Sequence, residues 1–407
     1  MRHRDFRLLW IGQLISGVGD QMQLVGISWH LYLLTNSALE LGLLGLTRAV
    51  PFMTLSLFGG ALADTMDRKR LLIITQSSQM VVTSGLVTAA ALGKATPLVL
   101  YAVTFLSGAL QAFDGPARQA MIPNLVPRRE LAGALTVLTV LRQASAIIGP
   151  GIGGLVIARA GLAANYFGNA LSFLAVVIAL LLMGPVPAAA AAAGSNWERV
   201  LGGLAFARRE PLVLLPLLLD FATRIPVTMR GLLPLFAQDV FAQGAQGLGL
   251  LNAAISAGAV VGGLVMGVSK SVKYPVAVML LAYVIEGGFC SGFGLARTFE
   301  LGLAMLFGMG VCDVVAEVLR NTVVQLKTPD RVRGRVTALA SMFGAGGPQL
   351  AQLESGIVAE AIGPTTTALL GGITAVAITT VFTLLPRLRH ELGATSEQLE
   401  AVAALGE

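Results

Sequence analysis

The sequence predicts an all-α integral membrane protein with twelve transmembrane helices, arranged as two six-helix bundles with pseudo-two-fold symmetry. Three observations point there. Of 407 residues, 55% are hydrophobic and 12% charged, with a mean hydropathy of +0.77, the composition of a chain solvated mostly by lipid. Short polar turns cut the chain into twelve apolar stretches, each near the ~20 residues a spanning helix needs. Finally, segments return at an offset of 202 residues, pairing Arg118-Gln119 with Arg320-Asn321, Pro127 with Pro329, Gly154 with Gly356 and Gly161 with Gly363. A parallel repeat of this kind places the substrate path at the interface between halves.

The first stretch, 6–33, follows a basic start but is too long for a signal peptide, contains Asp20 and lacks a small-residue cleavage site, so it reads as a retained helix. Asp20 lies midway along it, with Gln13, Gln21 and Gln23 giving one polar face. The second, 39–63, runs through Gly59-Gly60 into the charged turn Asp64 to Arg70, from which the third, 69–92, departs. The fourth, 97–122, carries Asp114 and Arg118. The fifth, 132–157, carries Arg142 and the run Ser145 to Gly154. There glycine and serine let helix backbones approach closely and Pro150 removes a hydrogen bond, which suits a rocking joint; ordinary small-residue packing accounts for the run about as well. After the sixth, 162–184, a low-complexity Pro/Ala run and the basic, partly apolar Trp197–Arg209 make 185–210 a cytoplasmic linker. The bundles are then 1–184 and 211–388, with a cytoplasmic tail at 389–407.

The seventh stretch, 211–236, holds Asp220 and Arg224 at i, i+4 and, further on, Arg230. The eighth, 247–268, ends in Gly262 to Gly267 with Lys270 and Lys273, a weaker copy of the turn after the second. Glu286 stands alone in the ninth, 275–295. The tenth, 299–325, has Asp313 and Glu317 on one face with Arg320 one turn further. The eleventh, 333–358, starts at Arg333-Gly334-Arg335, and the twelfth is 364–386.

Charges at a helix centre cost about 2.5 to 3.5 kcal/mol on insertion, so each is paired, faces water or works. Asp20 reads as a proton or substrate site, or as a carboxylate neutralised by Arg142 or capped by an amide. Asp313 and Glu317 read as proton carriers, or Glu317 pairs with Arg320 and only Asp313 is free. Glu286 is a weaker proton candidate. Asp220 and Arg224 satisfy each other, or Arg224 joins Arg230, Arg142 and Arg48 in offering positive potential to an acidic or catechol-like substrate, since guanidinium forks onto oxyanions and stacks on rings. Trp29, Tyr32 and Tyr101 read as interfacial anchors.

With both termini in the cytoplasm, inside segments hold twenty-one Lys and Arg against three outside, Lys94, Arg159 and Arg297. The pI of 9.7 thus reflects membrane orientation rather than nucleic-acid binding. Cys290 and Cys312 fall within helices and form neither a disulfide framework nor a zinc site. Three histidines, no H-E-x-x-H and no phosphate loop exclude a metallohydrolase or ATP drive, and the short loops leave no room for a receptor's signalling domain. No metal or cofactor is expected beyond a proton gradient, and no partner beyond substrate and bilayer, the monomer being the working unit.

These residues resemble the major facilitator superfamily. Gly60-Ala61-Leu62-Ala63-Asp64-Thr65-Met66-Asp67-Arg68-Lys69 is similar to its loop signature G-x-x-x-D-x-x-G-R-K, with Asp67 where glycine is usual. The Asp-Arg variant, Ala117-Arg118-Gln119-Ala120, Pro123 to Pro127 and Ala134 to Leu138 resemble the subgroup that includes the enterobactin exporter and macrolide efflux proteins, over residues 4–388. Ser145 to Gly154 is similar to the G-x-x-x-G-P-x-x-G-G motif of proton-coupled exporters, with Ser145, Gly149, Pro150, Gly153 and Gly154 at its motif positions and serine replacing the first glycine. The resemblance implies a cavity lined by helices 1, 4, 7 and 10, where Asp20, Asp114, Asp220, Arg224, Arg230, Asp313 and Glu317 fall. It also implies a cytoplasmic latch of Gly60, Asp64, Arg68, Lys69, Asp114, Arg118, Arg333 and Arg335, in which Asp64 faces the start of helix 11 and Arg68 pairs with Asp114. The helix 4 arginine of many drug–proton antiporters is missing, since Thr104 precedes Gly108. The implied function is an alternating-access, proton-coupled exporter of a siderophore or amphipathic drug in the bacterial inner membrane, with a lipid or lysolipid flippase as the alternative.

Overall fold

The computed structural model describes residues 4–184, 204–208, 210–269, 272–395 and 398. Most of the 185–210 linker and of the 389–407 tail lies outside the described residues. The described residues contain no strand.

Several helices begin where the sequence offers a side-chain cap. After α1 (Arg4–Thr35), the Ser37 hydroxyl accepts the Glu40 amide at 3.3 Å and starts α2 (Ala38–Thr65). The Asp67 carboxylate accepts the Arg70 amide at 3.1 Å and starts α3 (Arg68–Ala91), which accounts for an acid where the superfamily loop usually has glycine. Thr96, followed by Pro97, caps α4 (Pro97–Met121). Two short 3-10 turns then lead into the run Leu131–Leu182. That run is two helices, α5 before Gly161 and α6 after it, because Gly161 adopts φ 84°, which only glycine takes without strain. At the repeat offset, Gly363 (φ 83°) makes the same loopless turn between α11 (Asp330–Ile362) and α12 (Pro364–Leu384).

The seventh stretch departs from expectation. Rather than running to 236, α7 (Pro211–Val227) stops just past Pro226, and Leu233–Leu235 passes into a π-helical turn at Phe236–Val240. Beyond it come α8 (Gly244–Val268), α9 (Pro275–Gly294) and α10 (Phe299–Leu326), the last capped by Thr298. Among the described residues, eight helices are long and apolar enough to cross a membrane, counting the α5–α6 run as one.

The side-chain distribution inverts that of a water-soluble protein. Val81, Leu98, Phe167, Leu264, Leu281 and Ile373 are exposed on helix faces, while Gln76, Thr83, Asp114, Asn165, Asn169, Asp220 and Arg320 are buried. Helices touch through glycine: a Cβ on Gly108 would lie 2.6 Å from the Arg48 carbonyl (α4 on α2), and one on Gly262 2.6 Å from the Val311 carbonyl (α8 on α10).

The chain groups into two compact units. The first comprises Met1–Ala193 with Leu233–Ala253; α1 packs on α5 and α6, α2 on α4, and α3 on α4, around Leu9, Leu72, Met121 and Leu180. The second comprises Gly194–Leu232 with Ala254–Glu407; α9 packs on α10 and α12, and α7 on α11 and α12, around Leu219, Met279, Tyr283 and Leu319. The segment Leu233–Ala253 joins the first unit because backbones meet there without side chains between: a Cβ on Gly154 would lie 2.5 Å from the Ala245 carbonyl and 3.0 Å from the Gly249 Cα.

Candidate functional site

In the first unit the focus is Asp114, buried on α4. Its carboxylate accepts the Gln76 amide at 2.7 Å and the Thr75 hydroxyl at 3.3 Å, and forms an ion pair with Arg118, one turn along the same helix. Arg118 also donates to Gln13 of α1 at 2.7 Å. The Arg68–Asp114 pair expected from the sequence is therefore replaced by Arg118–Asp114. Arg68 donates instead to the Ala120 carbonyl at 2.8 Å, and Lys69 to the Met183 carbonyl at 2.6 Å. These carbonyls end α4 and follow α6, so the two basic residues satisfy helix C-termini that have no partner of their own. The side chain of Asp64 and the surroundings of Gly60 lie outside the described residues, while Arg333 and Arg335 are exposed at the start of α11.

Asp20 is half-buried on α1, with Arg118 of α4 and Arg48 of α2 as its cationic neighbours, Asp114 opposing them and the Asn169 amide alongside. Arg48 donates to Gln111 at 3.0 Å. Arg142 is exposed on α5 and is not among the charged neighbours of Asp20, so it does not neutralise it. Deeper in α1, Gln23 accepts from Thr83 of α3 at 3.0 Å and from Asn169 of α6 at 2.8 Å, and Asn165 donates to the Met22 carbonyl at 2.9 Å. Sequence reasoning missed Thr83, Asn165 and Asn169. Their signal was there: amides and hydroxyls four apart within apolar spans, at 165 and 169 and at 75, 79 and 83.

The small-residue motif of α5 divides between two neighbours. Ser145, Gly149 and Gly153, four apart, face α1: a Cβ on Gly149 would lie 2.5 Å from that of Gln21, and one on Gly153 3.0 Å from the Met22 Cα. Pro150 and Gly154 face α8, where the Pro150 carbonyl abuts Gly249. Tyr32 and Trp29 are buried rather than interfacial, and Tyr32 donates to Asp239 of the π turn at 2.5 Å. Tyr101 donates to the carbonyl of Glu40 at 2.9 Å and to its carboxylate. Aromatic rings near helix ends suit both roles, and here a carboxylate within reach decides.

In the second unit Asp220 of α7 is held by three donors: the Arg320 guanidinium from α10, Arg224 at 3.1 Å and the Tyr283 hydroxyl of α9 at 3.0 Å. Arg224 reaches Asp313 of α10 at 3.0 Å with the same terminal nitrogen, so one cation bridges two carboxylates. Glu286 of α9 faces Arg224, Asp313 and Asp220 electrostatically, and the exposed Arg230 faces Asp313. Glu317 is exposed and does not pair with Arg320, which turns to Asp220 and to Asn321 at 3.1 Å. Asp313 and Glu317, though a turn apart, therefore have different surroundings. Tyr283 was missed because nothing local marks a tyrosine in an apolar span as a carboxylate donor.

A family model described as transmembrane secretion effector matches residues 1–403. The chain is 30% identical over 340 residues to the enterobactin exporter EntS of Escherichia coli O1:K1 / APEC, covering 83% of this chain and 81% of that protein, and to EntS of Shigella boydii serotype 18 with the same figures. Among solved structures, the nucleoside transporter NupG matches with a TM-score of 0.71 at 16% identity, over 94% of this chain and 98% of that one. A bacterial homologue of the iron transporter ferroportin, in an inward-facing state, gives 0.67 at 16%, over 94% and 99%. At such identities the structural likeness is one of fold.

Proposed function

Because this chain belongs to the transmembrane secretion effector family of the major facilitator superfamily, and is thus a membrane transporter and not an enzyme, we propose that it is a proton-coupled exporter of a siderophore or amphipathic drug. It works by alternating access of two six-helix bundles, residues 1–184 and 211–388, each helix spanning the membrane once. The 185–210 linker, the 389–407 tail and both termini are cytoplasmic, the membrane is the bacterial inner membrane, and the monomer is the working unit. The driving force is the proton gradient.

One observation carries the transport chemistry: within each unit ionised side chains of apolar helices are set against one another, Asp20 of α1 with Arg118 of α4 in the first, and Asp220 of α7 with Asp313 of α10 across Arg224 in the second. Carboxylates and guanidiniums kept in the membrane at such cost mark a path for protons or polar solutes. Outward direction is supported by the likeness to proteins named as enterobactin exporters. Alternating access is supported by the glycine seams of α5, where backbone contact on α1 and α8 leaves surfaces that slide without unpacking side chains.

The test is accumulation in proteoliposomes under an imposed pH gradient, with a tris-catechol siderophore, a macrolide, a cationic dye and a lysolipid compared side by side. Gradient-dependent accumulation of the siderophore or a drug is expected. Movement of none of them above protein-free vesicles refutes the proposal, and movement of the lysolipid alone replaces it with a flippase.

A further inference from the structure

The break after Val227 decides the surroundings of one charge. Positions 220, 223, 227 and 230 share one face of a continuous helix, and the first three, Asp220, Thr223 and Val227, are buried at 2%, 3% and 5% exposure. Continued past Val227, the same helix would carry Arg230 on that enclosed face. Instead α7 ends just past Pro226, residues 228–232 leave the helix, and Arg230 is exposed. The segment is held at both ends: the Pro226 carbonyl abuts Gly371 of α12, and a Cβ on Gly231 would lie 2.6 Å from the Gln352 side chain of α11.

The charge so presented is deep and unmatched. Asp313, the charged neighbour of Arg230, lies near the midpoint of α10. A guanidinium at that depth is stable only beside water or a counter-charge. Asp313 is already held by Arg224 at 3.0 Å, and Asp220 by Arg224 and Arg320. Glu286 faces Arg224, Asp313 and Asp220 and is not among the charged neighbours of Arg230. Among the described residues, no acceptor lies within hydrogen-bond reach of the Arg230 guanidinium, so its donors are open to a solute.

We propose that Arg230 selects anionic solutes for this transporter, its guanidinium forking onto a carboxylate or other oxyanion of the substrate, and that the break after Val227 is what places it there. This deepens the exporter reading and rests on it, favouring acids among the siderophore and drug candidates. A guanidinium gives a carboxylate two parallel N–H donors along with its charge, whereas an ester accepts weakly and an ammonium is repelled. The segment fixed against α11 and α12 holds the cation in place before the solute arrives, which lowers the ordering cost of binding.

The test is binding to the full chain in detergent at neutral pH, with three synthetic probes on one bis-catechol scaffold that ends in a carboxylate, its methyl ester or an ammonium. The wild type is expected to hold the acid about 10- to 100-fold more tightly than the ester, the worth of a hydrogen-bonded charge, and the ammonium probe least of all. Arg230→Gln should bring the acid down to the ester and leave ester affinity and size-exclusion elution as in the wild type. Arg230→Lys, which keeps the charge but not the fork, should retain part of the preference, and it carries the test if the glutamine variant does not fold. Equal binding of acid and ester by the wild type overturns the proposal. So does a preference that persists in Arg230→Gln, a loss of acid and ester alike in that variant, or a preference in Arg230→Lys that is absent or as large as the wild type's. If none of the probes binds, the proposal falls even where vesicles accumulate another compound, and the exporter reading stands alone. Vesicles that accumulate no solute remove the exporter reading whatever the order of the probes.

Discussion

Replacing Arg320 by methionine tests whether the α7–α10 ion pair holds the second unit together. Both partners are almost fully enclosed, with side-chain exposures of 5% for Arg320 and 3% for Asp220. Removing one member of a buried pair costs about 3–5 kcal/mol because the other is left as an uncompensated charge. Arg320→Met falls at the low end, about 3 kcal/mol, since Asp220 keeps Tyr283 and Arg224. Asp220→Leu falls at the high end, about 5 kcal/mol, because Arg320 keeps only Asn321. The double variant Asp220→Leu/Arg320→Met, apolar on both sides, should lie within about 1 kcal/mol of the wild type. The four proteins form a double-mutant cycle that can be read by denaturation in mixed micelles. Cys290 and Cys312 are free and buried, so a thiol-reactive dye reports unfolding directly. A cost below about 1 kcal/mol for Arg320→Met, or additive effects in the double variant, would refute the pair's structural role.

Three further outcomes follow from geometry. Gly154→Leu should overpack the α5–α8 seam by about 1–3 kcal/mol, seen as faster hydrogen exchange across Leu233–Ala253; unchanged exchange would show that the contact is loose. Gln23→Leu strands the Thr83 and Asn169 donors and should cost about 1–3 kcal/mol in the same denaturation assay, a neutral result meaning that those groups find other partners. Gly161→Ala and Gly363→Ala should each cost roughly 1–3 kcal/mol, because both glycines combine a positive φ with an extended ψ, a region essentially restricted to glycine; equal melting of either variant and the wild type would count against the repeated turn.

The sequence revealed part of what depends on neighbours along the chain. The Asp220–Arg224 pair was legible from its i, i+4 spacing, and the Gly161 and Gly363 turns from the 202-residue offset. Partners brought in by packing were hidden. Arg320 reaches past Glu317, one turn away, to an aspartate a hundred positions earlier, and only the crossing of α7 and α10 sets that choice. Asp114 shows the opposite error, where a distant loop arginine was favoured over Arg118 on the same helix. The break at Val227 was signalled by Pro226 and passed over because the apolar run continues through it to Leu235. Tyr32 was misread because a ring at a helix end serves lipid headgroups and a carboxylate within reach equally well.

The central claim is that charges buried in these helices couple solute movement to protons. Its most direct test is the proton count: pH-dye-loaded proteoliposomes given a saturating tris-catechol or drug pulse. Wild-type vesicles should move protons opposite to the solute. Solute movement at full rate with no proton flux in the wild type would contradict the account.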